Sequence, residues 1–189
     1  MVDAQTIGVL VTAASVTVAA IYYVMNLRIS QRNQELSLRA LEQSAKAQQM
    51  TLDTRQAQLL MNIYQKWTEP EFEAAWTEIV TKWKWSDYDD YQAKYGLANP
   101  EYYRKSSMVA MYFEGIGVLV KNGFIDARLV EDLGSVYIVG FWQKLEPIYR
   151  EFRVRMNSPT TVEFVEYLYD VIYPIWLEQH PGTPRPISQ

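Results

Sequence analysis

From Ile7 to Met25 the chain is apolar almost without interruption: IGVLVTAASVTVAAIYYVM holds 15 apolar residues in 19 and no charge. At about 1.5 Å rise per residue, such a stretch covers roughly 28 Å, close to the ~30 Å hydrocarbon core of a bilayer. The run predicts one transmembrane helix. Thr12, Ser15 and Thr17 interrupt it without spoiling it, because their hydroxyls can return to the helix's own carbonyls. Tyr22 and Tyr23 stand near one end, where an interfacial aromatic belt is expected. A cleaved signal peptide would offer small residues such as Val18-Ala19-Ala20 to a protease, but it would also begin with positive charge. Only Asp3 is charged ahead of the run. Ser15 and Ala19 have the spacing that lets membrane helices approach closely, and a helix alone in lipid fits the same residues.

The pattern then turns polar while staying helical. Neither glycine nor proline occurs between Val9 and Thr68, and the residues from Arg28 onward are rich in Gln, Leu, Ala, Arg and Glu. The membrane helix is expected to continue as a stalk. Leu38, Ala45, Leu52 and Leu59 recur every seven residues, but the companion seam of Leu41, Gln48, Arg55 and Asn62 is mostly polar. A two-stranded coiled coil wants both seams apolar, so self-association and a solvated stalk stay open.

Beyond Thr68 the apolar positions fall three or four apart in four further stretches. Thr68-Glu69-Pro70 breaks the stalk, with Thr68 as N-cap, and Phe72, Trp76, Ile79 or Val80, and Trp83 then mark the core face of a helix over 71–85. Gly96-Leu97-Ala98-Asn99-Pro100 introduces a helix over 101–122, closed by Gly123 as its C′ glycine, with Asp126 capping the next. Gly115 and Gly117 inside it each forgo about 1 kcal/mol of helix propensity, so a neighbouring helix should lie close there. A long helix from Asp126 to Arg155 should bend at Pro147, with Leu129, Leu133, Val136, Tyr137, Gly140 and Phe141 or Lys144 inward. Asn157-Ser158-Pro159 forms the next break. A last helix, capped by Ser158 or Thr160, would bury Phe164, Leu168, Val171 or Ile172, and Ile175 or Trp176. The fold class is therefore all-α: a transmembrane anchor over 1–27, a stalk over 28–58, a helical bundle over 59–180 and an irregular proline-rich tail over 181–189.

Charge adds a direction. Arg28, Arg32 and Arg39 follow the span closely, and the amino terminus supplies the only positive charge before it. The positive-inside rule puts the body in the cytoplasm and the N-terminus outside the cell membrane. Within the formal net charge of −4, the chain after Arg55 carries 13 basic against 18 acidic residues, unfavourable for gripping a phosphate backbone. Nucleic acid is not an expected partner.

Reactive chemistry has little to draw on. Without cysteine there are no disulfides, thiolate metal sites or cysteine nucleophiles, and His180 is the lone histidine, so neither a Ser-His-Asp triad nor a multi-histidine metal site can be assembled in one chain. Ser86-Asp87-Tyr88-Asp89-Asp90 is dense in carboxylates, yet it lacks the alternating ligands, central glycine and distant Glu of a calcium loop, and reads as a surface loop or helix cap. Glu114 is the odd residue in the apolar run of the 101–122 helix. It is expected in a structural ion pair with Arg104, Arg150, Arg153 or Arg155, the alternative being a catalytic acid or ligand. Glu114, Asp126, Glu131 and Asp132 are what a carboxylate-only site would have to use.

Tyr112-Phe113-Glu114, the turn Asn122-Gly123-Phe124-Ile125-Asp126 and Trp142-Gln143-Lys144-Leu145-Glu146-Pro147 resemble an uncharacterised prokaryotic family, a domain of unknown function, over roughly 59–155. Its members pair an N-terminal membrane helix with a small all-helical cytoplasmic domain. The resemblance implies fold and topology and assigns no catalytic residue. Trp67 to Trp85 and the proline-rich tail fall outside the matched motifs.

The expected function is a membrane-anchored interaction module, an accessory or scaffold subunit, with no catalysis, cofactor, metal or small-molecule substrate. The bilayer and another membrane protein, or a second copy of the chain, are its expected partners. The alternative is a self-associating membrane signalling or stress-response component.

Overall fold

The absence of helix breakers from Val9 to Thr68 has its structural counterpart in α1, one helix over Ala4–Trp67 in the computed structural model, which describes residues 3–182, Thr6 by its backbone alone. Five more helices follow among the described residues, with no strand: α2 (Pro70–Thr81), α3 (Tyr88–Tyr95), α4 (Pro100–Lys121), α5 (Ala127–Arg155) and α6 (Glu163–Gln179). Residues 183–189, most of the expected irregular tail, lie outside the described residues. The chain divides into two units, Met1–Thr54 and Arg55–Gln189.

The first unit is the bulk of α1. Its helix is long and apolar enough from Ile7 onward to cross a membrane, and none of its most apolar window is buried against protein. The polar interruptions are satisfied internally: Thr12, Ser15 and Thr17 donate their hydroxyls to the carbonyls of Gly8, Val11 and Ala13, each at 2.9 Å. These bonds are the arrangement a water-free environment requires. Thr51 and Thr54 do the same farther along.

The second unit is a helical body. α6 lies along both α4 and α5, while α2 and α3 each pack on α4 and α5. Phe113 of α4 meets Phe72 of α2 and Phe141 of α5, with ring centroids 5.9 and 5.4 Å apart. Leu168 and Ile172 close this core from α6. The end of α1 belongs to it as well: Ile63 and Trp67 are buried, the Tyr112 hydroxyl donates to the Ile63 carbonyl at 3.0 Å, and Trp67 stacks on Tyr137. The tryptophan-rich segment is core, as its spacing predicts. Trp83 is sandwiched against Tyr95 at 4.1 Å, and half-buried Trp76 donates its indole N–H to the Tyr137 carbonyl at 2.8 Å.

Several boundaries differ from the sequence expectation for identifiable reasons. Thr68 does not cap α2; its hydroxyl turns back to the carbonyls of Tyr64 and Gln65, finishing α1, and Glu69 occupies the N-cap position. α2 stops at Thr81, and Trp83 enters the core from the following loop. Asp87 is the cap of α3, accepting from the Asp90 amide at 2.8 Å, which accounts for one of the dense carboxylates after Ser86.

In α5 the helical dihedrals are interrupted at Gly134, and Pro147 lies inside the helix that continues beyond it. A β-carbon on Gly134 would stand 2.8 Å from the Trp67 ring, so the docked end of α1 takes the space a side chain would need. That interruption resets the phase of the helix. Leu129 and Val136 are consequently exposed, and Val130, Ser135, Ile138, Val139, Trp142 and Leu145 point inward instead, with Gly140 and Phe141 buried as expected. In α6, Leu168, Ile172 and Trp176 are buried as their spacing predicts, and Val165 takes the place expected for Phe164. Neither Ser158 nor Thr160 caps that helix, because its first turn begins only at Glu163.

Candidate functional site

A cavity of about 300 Å³ opens in the helical body where α3, α4 and α5 converge. α4 contributes Tyr103, Ser106, Ser107, Ala110 and Met111; α5 contributes Ile148, Tyr149 and Phe152. Tyr91 and Gln92 of α3, with Gly96 and Leu97 behind it, form one wall, and Met156, Thr161 and Val162 of the α5–α6 connection form another. None of these lining residues carries a charge. Its volume is at the small end of the ~300–1,000 Å³ range of ligand pockets, and its mixture of apolar walls with a few polar groups is typical of them.

The polar groups are phenols and hydroxyls. Burial pushes the Tyr91 hydroxyl up to about 12, against a smaller opposing pull from the Ser106 hydroxyl. Burial likewise holds Tyr149 well above the usual phenol range, with Tyr91, Tyr103 and Glu114 adding to the effect. Tyr91 and Tyr149 therefore stay protonated at neutral pH. They offer hydrogen bonds but no charge and no base.

Glu114 lies on α4 one turn beyond Ala110, and its partner is not an arginine. Its carboxylate accepts a hydrogen bond from the Val165 amide at 2.8 Å, the third residue of α6. α6 has no side-chain cap of its own, since Val162 occupies the N-cap position in a left-handed conformation (φ 51°). Glu114 supplies from a neighbouring helix the acceptor an N-cap side chain would otherwise provide, and its negative charge suits the positive end of the α6 dipole. Three of the four expected arginines are used elsewhere: Arg150 and Arg153 pair with Glu166, and Arg155 pairs with Asp89 and Glu151.

Of the glycines beside Glu114, Gly117 marks a close approach and Gly115 does not. A β-carbon on Gly117 would stand 2.8 Å from the Phe164 carbonyl carbon and closer still to its oxygen, whereas Gly115 faces open space. Gly123 takes the left-handed conformation (φ 71°) behind α4. The Gly123 amide bonds to the Val120 carbonyl and the Phe124 amide to the Leu119 carbonyl, which makes a Schellman stop. Asp126 caps α5 by accepting from the Arg128 amide at 2.8 Å. Ser15 and Ala19 are exposed on α1 within the apolar span. Glu131 is buried at 3% exposure, with Ser135 donating to one carboxylate oxygen at 3.2 Å. Glu114 and Asp126 thus serve as helix caps, Glu131 is tied to Ser135 on its own helix, and Asp132 accepts from the Gln179 side-chain amide at 3.5 Å.

A family model described as a domain of unknown function (DUF4760) matches residues 9–171. The chain belongs to this family. The DUF4760 match runs from within the apolar span through α1 to α5 and into α6, so it takes in the tryptophan-rich segment that the three short motifs leave out. It joins the membrane-helix candidate and the helical body as one family unit. No curated protein and no solved structure matches the chain.

Within the DUF4760 body, the cavity has no local signature in the sequence. Its lining comes from Tyr91 to Val162, across three helices and two connections, and no local spacing brings those segments together. One signal was present: Leu97, Met111 and Met156 are large apolar residues that no helical face claims.

Proposed function

We propose that this chain is a membrane-anchored interaction module, an accessory or scaffold subunit of a membrane-associated complex with no catalysis of its own. One observation carries the reading. α1 supplies the apolar span and then contributes Ile63 and Trp67 to the core of the helical body, so anchor and body share a structural element with no loop separating them. A partner met by the helix in the membrane is thereby joined to the body. Arg28, Arg32 and Arg39 support an orientation with the N-terminus outside the cell membrane and the body cytoplasmic. The engagement of Glu114 and Asp126 in helix capping supports a binding role over a catalytic one.

A second reading, a self-associating signalling or stress-response component, is favoured by Leu36, Leu38, Leu41, Met50 and Leu52. These are exposed along α1, where a second copy would cover them. The chain's lack of cysteine makes the two readings separable. Single cysteines at Ser15, Ala19, Leu38 and Leu52, each carrying a photo-crosslinker, are expected in native membranes to yield adducts with a different protein. Adducts only between copies of the chain would favour the second reading, and no adduct at any position would sink both.

A further inference from the structure

We infer that the cavity between α3, α4 and α5 is a binding site for a small neutral amphiphile, a single alkyl chain ending in an uncharged hydrogen-bonding group. This goes beyond the interaction-module reading and does not depend on it. Four observations converge. The walls at Ala110, Ile148 and Phe152 are apolar, which suits hydrocarbon. Tyr91, Tyr103 and Tyr149 place phenols around the same space, able to donate to or accept from a hydroxyl or carbonyl. No lining residue is charged, so a carboxylate, phosphate or ammonium head would be desolvated without a partner. Leu97, Met111 and Met156 at the rim are 72%, 68% and 57% exposed, an arrangement that leaves apolar surface in water until something covers it.

The backbone adds to this. Val162, in the cavity wall, holds φ 51°, a conformation that β-branched residues rarely adopt. It is held there from both sides: the Arg153 guanidinium donates to the Thr161 carbonyl at 2.8 Å, and Glu114 binds the Val165 amide. Strain maintained by surrounding bonds is characteristic of ligand clamps. Methionine at two of the three rim positions suits an alkyl chain as well, because its unbranched thioether adapts to irregular apolar partners.

The test uses the full chain in lipid nanodiscs and a photoreactive diazirine analogue of decanol, with labelled peptides mapped by mass spectrometry. Labelling is expected within residues 103–111 and 148–156, and unlabelled decanol should compete for it at least about ten-fold better than decanoate, whose charge the site cannot pair. Ala110→Phe, which fills the cavity, should abolish that labelling while leaving the melting curve in place. If Ala110→Phe does not fold, Ser107→Leu at the same wall is read instead. Labelling confined to Ile7–Met25 would mean bilayer partitioning and overturn the proposal. So would equal competition by decanoate, or body labelling undiminished in a folded cavity-filling variant.

Discussion

Gly117→Ala is expected to destabilise the helical body by about 3 kcal/mol, while Gly115→Ala, two residues away on the same helix, is expected to stabilise it by up to about 1 kcal/mol. The opposite signs follow from what each β-carbon would meet. At Gly117 it would press on the backbone of Phe164, which cannot rotate aside, so α4 and α6 would have to separate along their contact. At Gly115 nothing lies within 4 Å, and alanine simply removes the entropic cost of glycine in a helix. Glu114 belongs to the same contact. Glu114→Ala should cost about 2 kcal/mol by stranding the Val165 amide, and Glu114→Gln roughly 1 kcal/mol, because an acceptor remains. Chemical denaturation of the four variants checks the set. Equal effects at the two glycines would show that α4 and α6 do not approach at Gly117.

A steep loss of stability is expected above pH 10. Burial raises Tyr91 to about 12 and holds Tyr149 well above the usual phenol range, so the folded body keeps both protonated where an unfolded chain, titrating near pH 10, does not. Between those values the unfolded state binds fewer protons than the native state. The stabilisation is complete below about pH 10 and declines as pH rises toward the folded values. Two such groups give a slope of roughly 3 kcal/mol per pH unit. Tyr112, also raised by burial, adds to it in the same direction. Stability from chemical denaturation should fall with pH above about 10, and Tyr149→Phe should make the decline shallower. A stability that stays level from about pH 9 to 11 would contradict the burial of these rings.

What was legible in the sequence was what local chemistry decides. The apolar run of Ile7 to Met25, the Schellman stop at Gly123 and the Asp126 cap each depend on residues within a few positions, and each stands where the spacing puts it. The core face of α2, Phe72 and Ile79 with Val80, could be read because its period alone marks it. Features that depend on distant segments could not be read. Glu114 meets an amide 51 residues away, on a helix that lacks a cap of its own. The interruption of α5 at Gly134 depends on Trp67 arriving from α1, and it shifts the inward face that an unbroken helix would have presented. The cavity needs three helices in place before it exists.

The proposed interaction module requires a partner at the membrane. Purification from gently solubilised native membranes, with a tag after Gln189 and the mass of the eluted particle measured, tests this most directly. The expected particle contains a second membrane protein in fixed ratio to the chain, retained through washing. A particle with the mass of one chain and its bound lipid and detergent, with no other protein in it, would contradict the proposed interaction module.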